Sequence, residues 1–132
     1  MKKVIGIAVV LLVLFSLGWV YQMRAQSFDG IVNSLRSGNA SALAATFESN
    51  VELTIKNTGN SYSRNQAEMI LKNFFATNSP KSFTVSHQGT SPEGAKYIIG
   101  NLATASGNFR TYVYAKTVGG KLVTQEIRLE EQ

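Results

Sequence analysis

The sequence predicts an α+β fold in which helices cover one face of an antiparallel sheet. Residues 81–129 alternate runs of β-branched and aromatic side chains with short turns rich in Gly, Pro and Asn. Upstream, three segments repeat apolar residues at helical spacing, and one short segment between them alternates with a period of two.

In chain order, Phe28, Ile31, Val32 and Leu35 stand at i, i+3, i+4 and i+7, one face of a helix, and Gly38 supplies its C-terminal stop. Asn39 is the N-cap of a second short helix with apolar positions Ala40, Leu43, Ala44 and Phe47. Val51, Leu53 and Ile55 alternate with Glu52, Thr54 and Lys56, which describes a strand with one wet face. Asn57-Thr58-Gly59-Asn60 reads as a turn. Ser63-Arg64-Asn65-Gln66 is a capping box opening the third helix. Ala67, Ile70, Leu71, Phe74 and Asn78 form its inward stripe, and Pro80 ends it.

Four strands follow, at residues 82–89, 96–106, 109–118 and 121–129. Ser91-Pro92-Glu93-Gly94 separates the first two. Gly107-Asn108 and Gly119-Gly120 supply the positive-φ residues that two-residue hairpins need. Tight hairpins make neighbours antiparallel. The predicted order is therefore helix, helix, strand, helix and a four-stranded antiparallel meander. Such a sheet can wet one face but must cover the other.

The chain has 132 residues, the length of one domain. Lys2-Lys3 precedes an uncharged run over 4–17 that stays apolar to Tyr21. A basic start and a short apolar run describe a secretory signal peptide, residues 1–25, cut after Ala25. The alternative is an uncleaved anchor. The apolar run is slightly short of the ~20 residues that span a bilayer, yet Trp19 and Tyr21 suit an interface. In both cases residues 26–132 form a single exported domain, periplasmic or secreted, or held to the membrane at its N-terminus.

There is no cysteine. That excludes lipid attachment through an N-terminal Cys, and the domain must rest on its core rather than on disulfides. The formal net charge is +5, from 13 basic and 8 acidic residues. Lys2, Lys3 and Arg24 lie in the first 25 residues, which leaves 10 basic against 8 acidic in the domain. The basic residues are scattered. Nucleic-acid binding needs a clustered footprint, so nucleic acid is not an expected partner.

Several local patterns carry a resemblance. They are Ser37-Gly38-Asn39-Ala40 with Leu43 and Phe47, Val51-Glu52-Leu53, Ser63 with Gln66-Ala67, and the Phe74-Phe75 pair. Ser86-His87-Gln88-Gly89 and Tyr97-Ile98-Ile99-Gly100-Asn101-Leu102 complete the set. Together, over residues 27–130, they resemble the nuclear transport factor 2-like, or cystatin-like, α+β superfamily. Within it they are similar to a family of short exported bacterial proteins of unknown function. The resemblance implies a cone, with a curved sheet wrapped around the helices, and an exported location. It implies no activity, because these are packing and turn residues.

Enzymes of that superfamily work inside the cone with a carboxylate base or a His–Asp pair and donors for an oxyanion. Here His87 is the only histidine, and it reads as a sheet-edge residue. Glu52 faces water if Val51, Leu53 and Ile55 face the core. Asp29 suits the start of a helix. One histidine without cysteine cannot build the usual zinc sets, and no Asp-rich loop suits calcium. The chain is expected to be non-catalytic, with no metal and no cofactor.

Binding remains. An apolar pocket inside the cone, lined by Tyr62, Phe74, His87, Tyr97, Asn101 and Gln125, would take a small apolar ligand. On the third strand of the meander Arg110, Tyr112 and Tyr114 share a face, opposite Phe109, Thr111 and Val113. If Phe109 and Val113 pack on the helices, Arg110, Tyr112 and Tyr114 form an interface for a homodimer or an envelope protein.

Overall fold

The computed structural model describes residues 28–132, so the expected signal peptide or anchor over residues 1–25 lies outside the described residues. Helices α1 (Asp29–Ser37) and α2 (Ala40–Ala44) lead into strands β1 (Phe47–Ile55) and β2 (Thr58–Ser63). Helix α3 (Arg64–Thr77) follows, then β3 (Pro80–Thr90), β4 (Ala95–Thr104), β5 (Gly107–Val118) and β6 (Lys121–Glu131). The six strands make one curved, open, mixed sheet in the order β2-β1-β6-β5-β4-β3.

The α+β class stands, but the sheet is larger than a four-stranded meander. β3 to β6 are antiparallel in chain order. β1 then lies parallel to β6, with Leu53 beside Ile127 and Ile55 beside Leu129, and β2 runs antiparallel on its far side. Most of the segment read as a turn, Asn57 to Asn60, belongs to β2. The actual turn is Lys56-Asn57, between the paired Ile55 and Thr58, with Lys56 at φ 58°. Thr58 to Ser61 are exposed, so no apolar alternation marks this strand in the sequence.

Phe47 is the first residue of β1 rather than the last turn of the second helix. Thr46 causes the change. Its N–H and its hydroxyl both donate to the Leu43 carbonyl, at 3.1 and 2.7 Å, while its own carbonyl accepts the Thr124 N–H of β6 at 2.7 Å. The helix stops and the sheet takes over. The β4–β5 loop is Ala105-Ser106 rather than Gly107-Asn108, because Thr104 and Gly107 are already paired. Thr104 Oγ1 accepts from the Ser106 N–H at 3.1 Å and donates to the Gly107 carbonyl at 2.8 Å. Gly119 and Gly120, at φ 57° and 78°, form the β5–β6 loop as expected of a two-residue hairpin.

The helices cover one face of the sheet. Ile31 and Leu35 of α1, Leu43 of α2, and Ala67 and Leu71 of α3 form one core with Ile98, Leu102, Val113, Ile127 and Leu129 of the strands. Arginines pin this layer down at two points. Arg36 Nη2 donates to the Phe83 carbonyl at 3.4 Å and Arg64 Nη2 to the Phe47 carbonyl at 3.0 Å. The capping box is formed. Ser63 Oγ accepts from the Gln66 N–H at 3.3 Å, and Gln66 Oε1 accepts from the Ser63 N–H at 3.2 Å. That second bond, with Ser61 N–H to Asn60 Oδ1 at 2.9 Å, occupies two N–H groups of the edge strand β2. An edge with capped donors is a poorer template for another strand. Among the described residues no helix is long and apolar enough to cross a membrane.

Candidate functional site

Strand pleating divides β4, β5 and β6 between two faces. Ile98, Gly100 and Leu102, with Phe109, Thr111 and Val113, are buried under the helices. The opposite face carries three rows of cross-strand neighbours: Tyr97–Tyr114–Glu126, Ile99–Tyr112–Arg128 and Asn101–Arg110–Glu130. The rows continue by register to Gly89, His87 and Thr84 on β3, and the first two reach Glu52 and Thr54 on β1. Among the described residues no helix covers this face, and Tyr97, Ile99, Tyr112 and Tyr114 are half-buried on it.

The tyrosines are ordered by one another. The rings of Tyr97 and Tyr112 stack with centroids 6.4 Å apart and planes 29° apart. Beside them Arg128 Nε donates to Glu126 Oε1 at 2.6 Å. Glu52 and Glu126 are direct neighbours across β1 and β6, so Arg128 offsets a like-charge pair. Burial first, then the Glu126 carboxylate and Tyr114, raises the Tyr112 phenol above its ordinary pKa. Asn101 Oδ1 is a buried acceptor without a hydrogen-bond partner among the described residues, between Thr84 and Arg110.

The six residues expected to line one pocket fall into three places. His87, Tyr97 and Asn101 belong to the outer sheet face, with Arg110, Tyr112 and Tyr114. His87 is exposed, its Nδ1 3.3 Å from Ser86 Oγ. Gln125 is the extra residue of a bulge in β6, where Tyr114 pairs with Glu126 and Ala115 with Thr124. Tyr62 and Phe74 alone share a cavity. It is an open cleft of about 440 Å³ between α3 and the β1–β2 hairpin, with Leu53, Ile55 and Ile70 on its apolar walls and Asn78 at one side. A second, wider groove of about 850 Å³ lies between α3 and the α1–α2 junction, around the exposed Met69.

Ile99 and Asn78 stand out among the residues of these surfaces that were not expected as site residues. Ile99 completes the aromatic patch. Asn78 is 7% exposed, and its Nδ2 donates to the Phe74 carbonyl at 3.0 Å. A polar side chain on the otherwise apolar stripe of the third helix was the available signal. Among the described residues no three His, Asp or Glu side chains converge as metal ligands would.

The model of a domain of unknown function, DUF4783, matches residues 28–130. A DUF4783 protein of Bacteroides fragilis is 34% identical, with a TM-score of 0.75, over 79% of this chain and 97% of the other. One from Bacteroides uniformis is 31% identical, with a TM-score of 0.74, over 79% and 95%. Beyond the family, a nuclear transport factor 2-like protein of unknown function from Silicibacter pomeroyi is 12% identical, with a TM-score of 0.60, over 79% and 88%. That likeness speaks for the fold alone. No curated protein matches the chain.

Proposed function

The chain belongs to the DUF4783 family, a domain of unknown function, and from that premise we propose that it is an exported, non-catalytic module that binds through the outer face of its sheet, its partner being a second copy of itself. The observation that carries this reading is the patch of Tyr97, Ile99, Tyr112 and Tyr114, which no helix covers among the described residues and which is half-buried already in the single chain, with the rings of Tyr97 and Tyr112 stacked. Such residues lose little side-chain entropy on docking and supply much of the energy at interfaces.

Charges of both signs rim the patch, Arg128 with Glu126 on β6 and Arg110 beside Glu130 across β5 and β6, so no single-sign field opposes the docking of a second copy. Sedimentation of the full chain tests this. A dimer that dissociates in Tyr112→Ser and Tyr114→Ser variants supports the reading, and a monomer at every concentration overturns it.

A second reading, carriage of a small apolar molecule, is favoured by the cleft that Tyr62 and Phe74 share.

A further inference from the structure

We infer that the cleft between α3 and the β1–β2 hairpin is a site for a neutral, largely apolar small molecule that donates one hydrogen bond, from a hydroxyl or an N–H, to Asn78 Oδ1. This rests on the carrier reading and names its ligand chemistry.

Three observations carry it. No lining side chain is charged, so an ionised ligand group would be desolvated without a counter-charge. The walls are apolar, with Leu53, Ile55, Ile70 and Phe74 among them, and their burial of a ligand is the driving force. The third is Asn78. Its residue is 93% buried, being 7% exposed, and its amide nitrogen is already used by the Phe74 carbonyl. Its oxygen has no partner among the described residues. On a side chain this largely buried, an amide oxygen left open at the wall of an apolar cleft prefers a donor and discriminates against a ligand lacking one. Asn78 also ends α3, just before Ser79 and Pro80, so the main chain fixes its position. The Tyr62 hydroxyl, likewise unpartnered among the described residues, offers a further polar point at the cleft.

The test uses the full chain and N-phenyl-1-naphthylamine, a neutral aromatic amine with one N–H whose emission rises when it leaves water. Its ether analogue, 1-phenoxynaphthalene, keeps the shape and lacks the donor. The amine is expected to bind, and the ether to compete about tenfold more weakly. Thr58→Trp and Thr77→Trp each place bulk in the cleft from an exposed position and are expected to abolish binding. Either variant suffices should the other fail to fold. Ala76→Trp, in the groove around Met69, is expected to leave binding unchanged.

Equal affinity for amine and ether would overturn the role of Asn78 while leaving the carrier reading standing. Binding that survives both cleft variants would overturn this site. No binding of either probe would overturn the site and the carrier reading together.

Discussion

The ring of Tyr97 on β4 lies directly over Gly89 of β3: a β-carbon on Gly89 would stand 2.6 Å from its Cε1 and Cζ. The two are cross-strand partners, and the glycine gives the ring its seat beside Tyr112. Glycine here therefore shapes the outer face rather than a turn.

Gly89→Ala is expected to push the half-exposed Tyr97 ring aside and to change stability by about 1 kcal/mol or less. Gly100→Ala, on the buried face, is expected to cost about 1–3 kcal/mol. A β-carbon there meets the Thr84 backbone oxygen as well as the Phe83 ring, both at 2.6 Å, and backbone cannot swing away. Urea unfolding of the two variants side by side checks the contrast.

The capping box makes a second prediction. Ser63→Ala removes the acceptor for the Gln66 N–H and should cost about 1 kcal/mol, a fall in Tm of about 4–8 °C for a domain of this size. Ser63→Asp keeps an acceptor and should stay near the parent. Thermal melts of the three proteins measure it.

How much of this was legible in the sequence depended on whether a residue's role was local. The capping box, the Gly119-Gly120 hairpin and the alternation of Val51, Leu53 and Ile55 with Glu52 are written in neighbouring residues, and the structure bears each out. Phe47 sits at helical spacing from Ala40, but Thr46 is held by Thr124, a residue 78 positions away, and that bond decides its conformation. The parallel pairing of β1 with β6 leaves no local mark either. β2 was invisible because an exposed edge strand has no need of apolar residues. Among the site residues, the pleat placed Tyr112 and Tyr114 together on one face. Whether Tyr97 and Asn101 faced the helices or the outside turned on which face of β4 the helices cover, and alternation alone does not decide that.

The raised Tyr112 phenol gives a pH prediction. Burial is its first cause and Glu126 its second, and both favour the neutral form in the folded chain. The folded chain thus holds this proton more tightly than the unfolded chain, whose tyrosine titrates at about 10. The resulting stability is complete below that value and is lost as pH rises through the higher folded-state value. Glu126→Gln should lower the Tyr112 titration without restoring it fully, since burial persists. Tyrosinate absorbance, with Tyr112→Phe to assign the signal, reads both.

Self-association should also appear in that titration. Docking of a second copy removes Tyr112 further from water, so its midpoint should rise with protein concentration. A midpoint independent of concentration would count against an interface at Tyr112.

The most direct measurement is native mass spectrometry of the protein taken from its own envelope fraction, beside a Tyr97→Ser/Tyr112→Ser variant. A dimer through the outer sheet face gives a doubled mass for the parent, with no additional protein, and a single-chain mass for the variant. A parent that flies only as a single chain, or a variant that stays doubled, would contradict it.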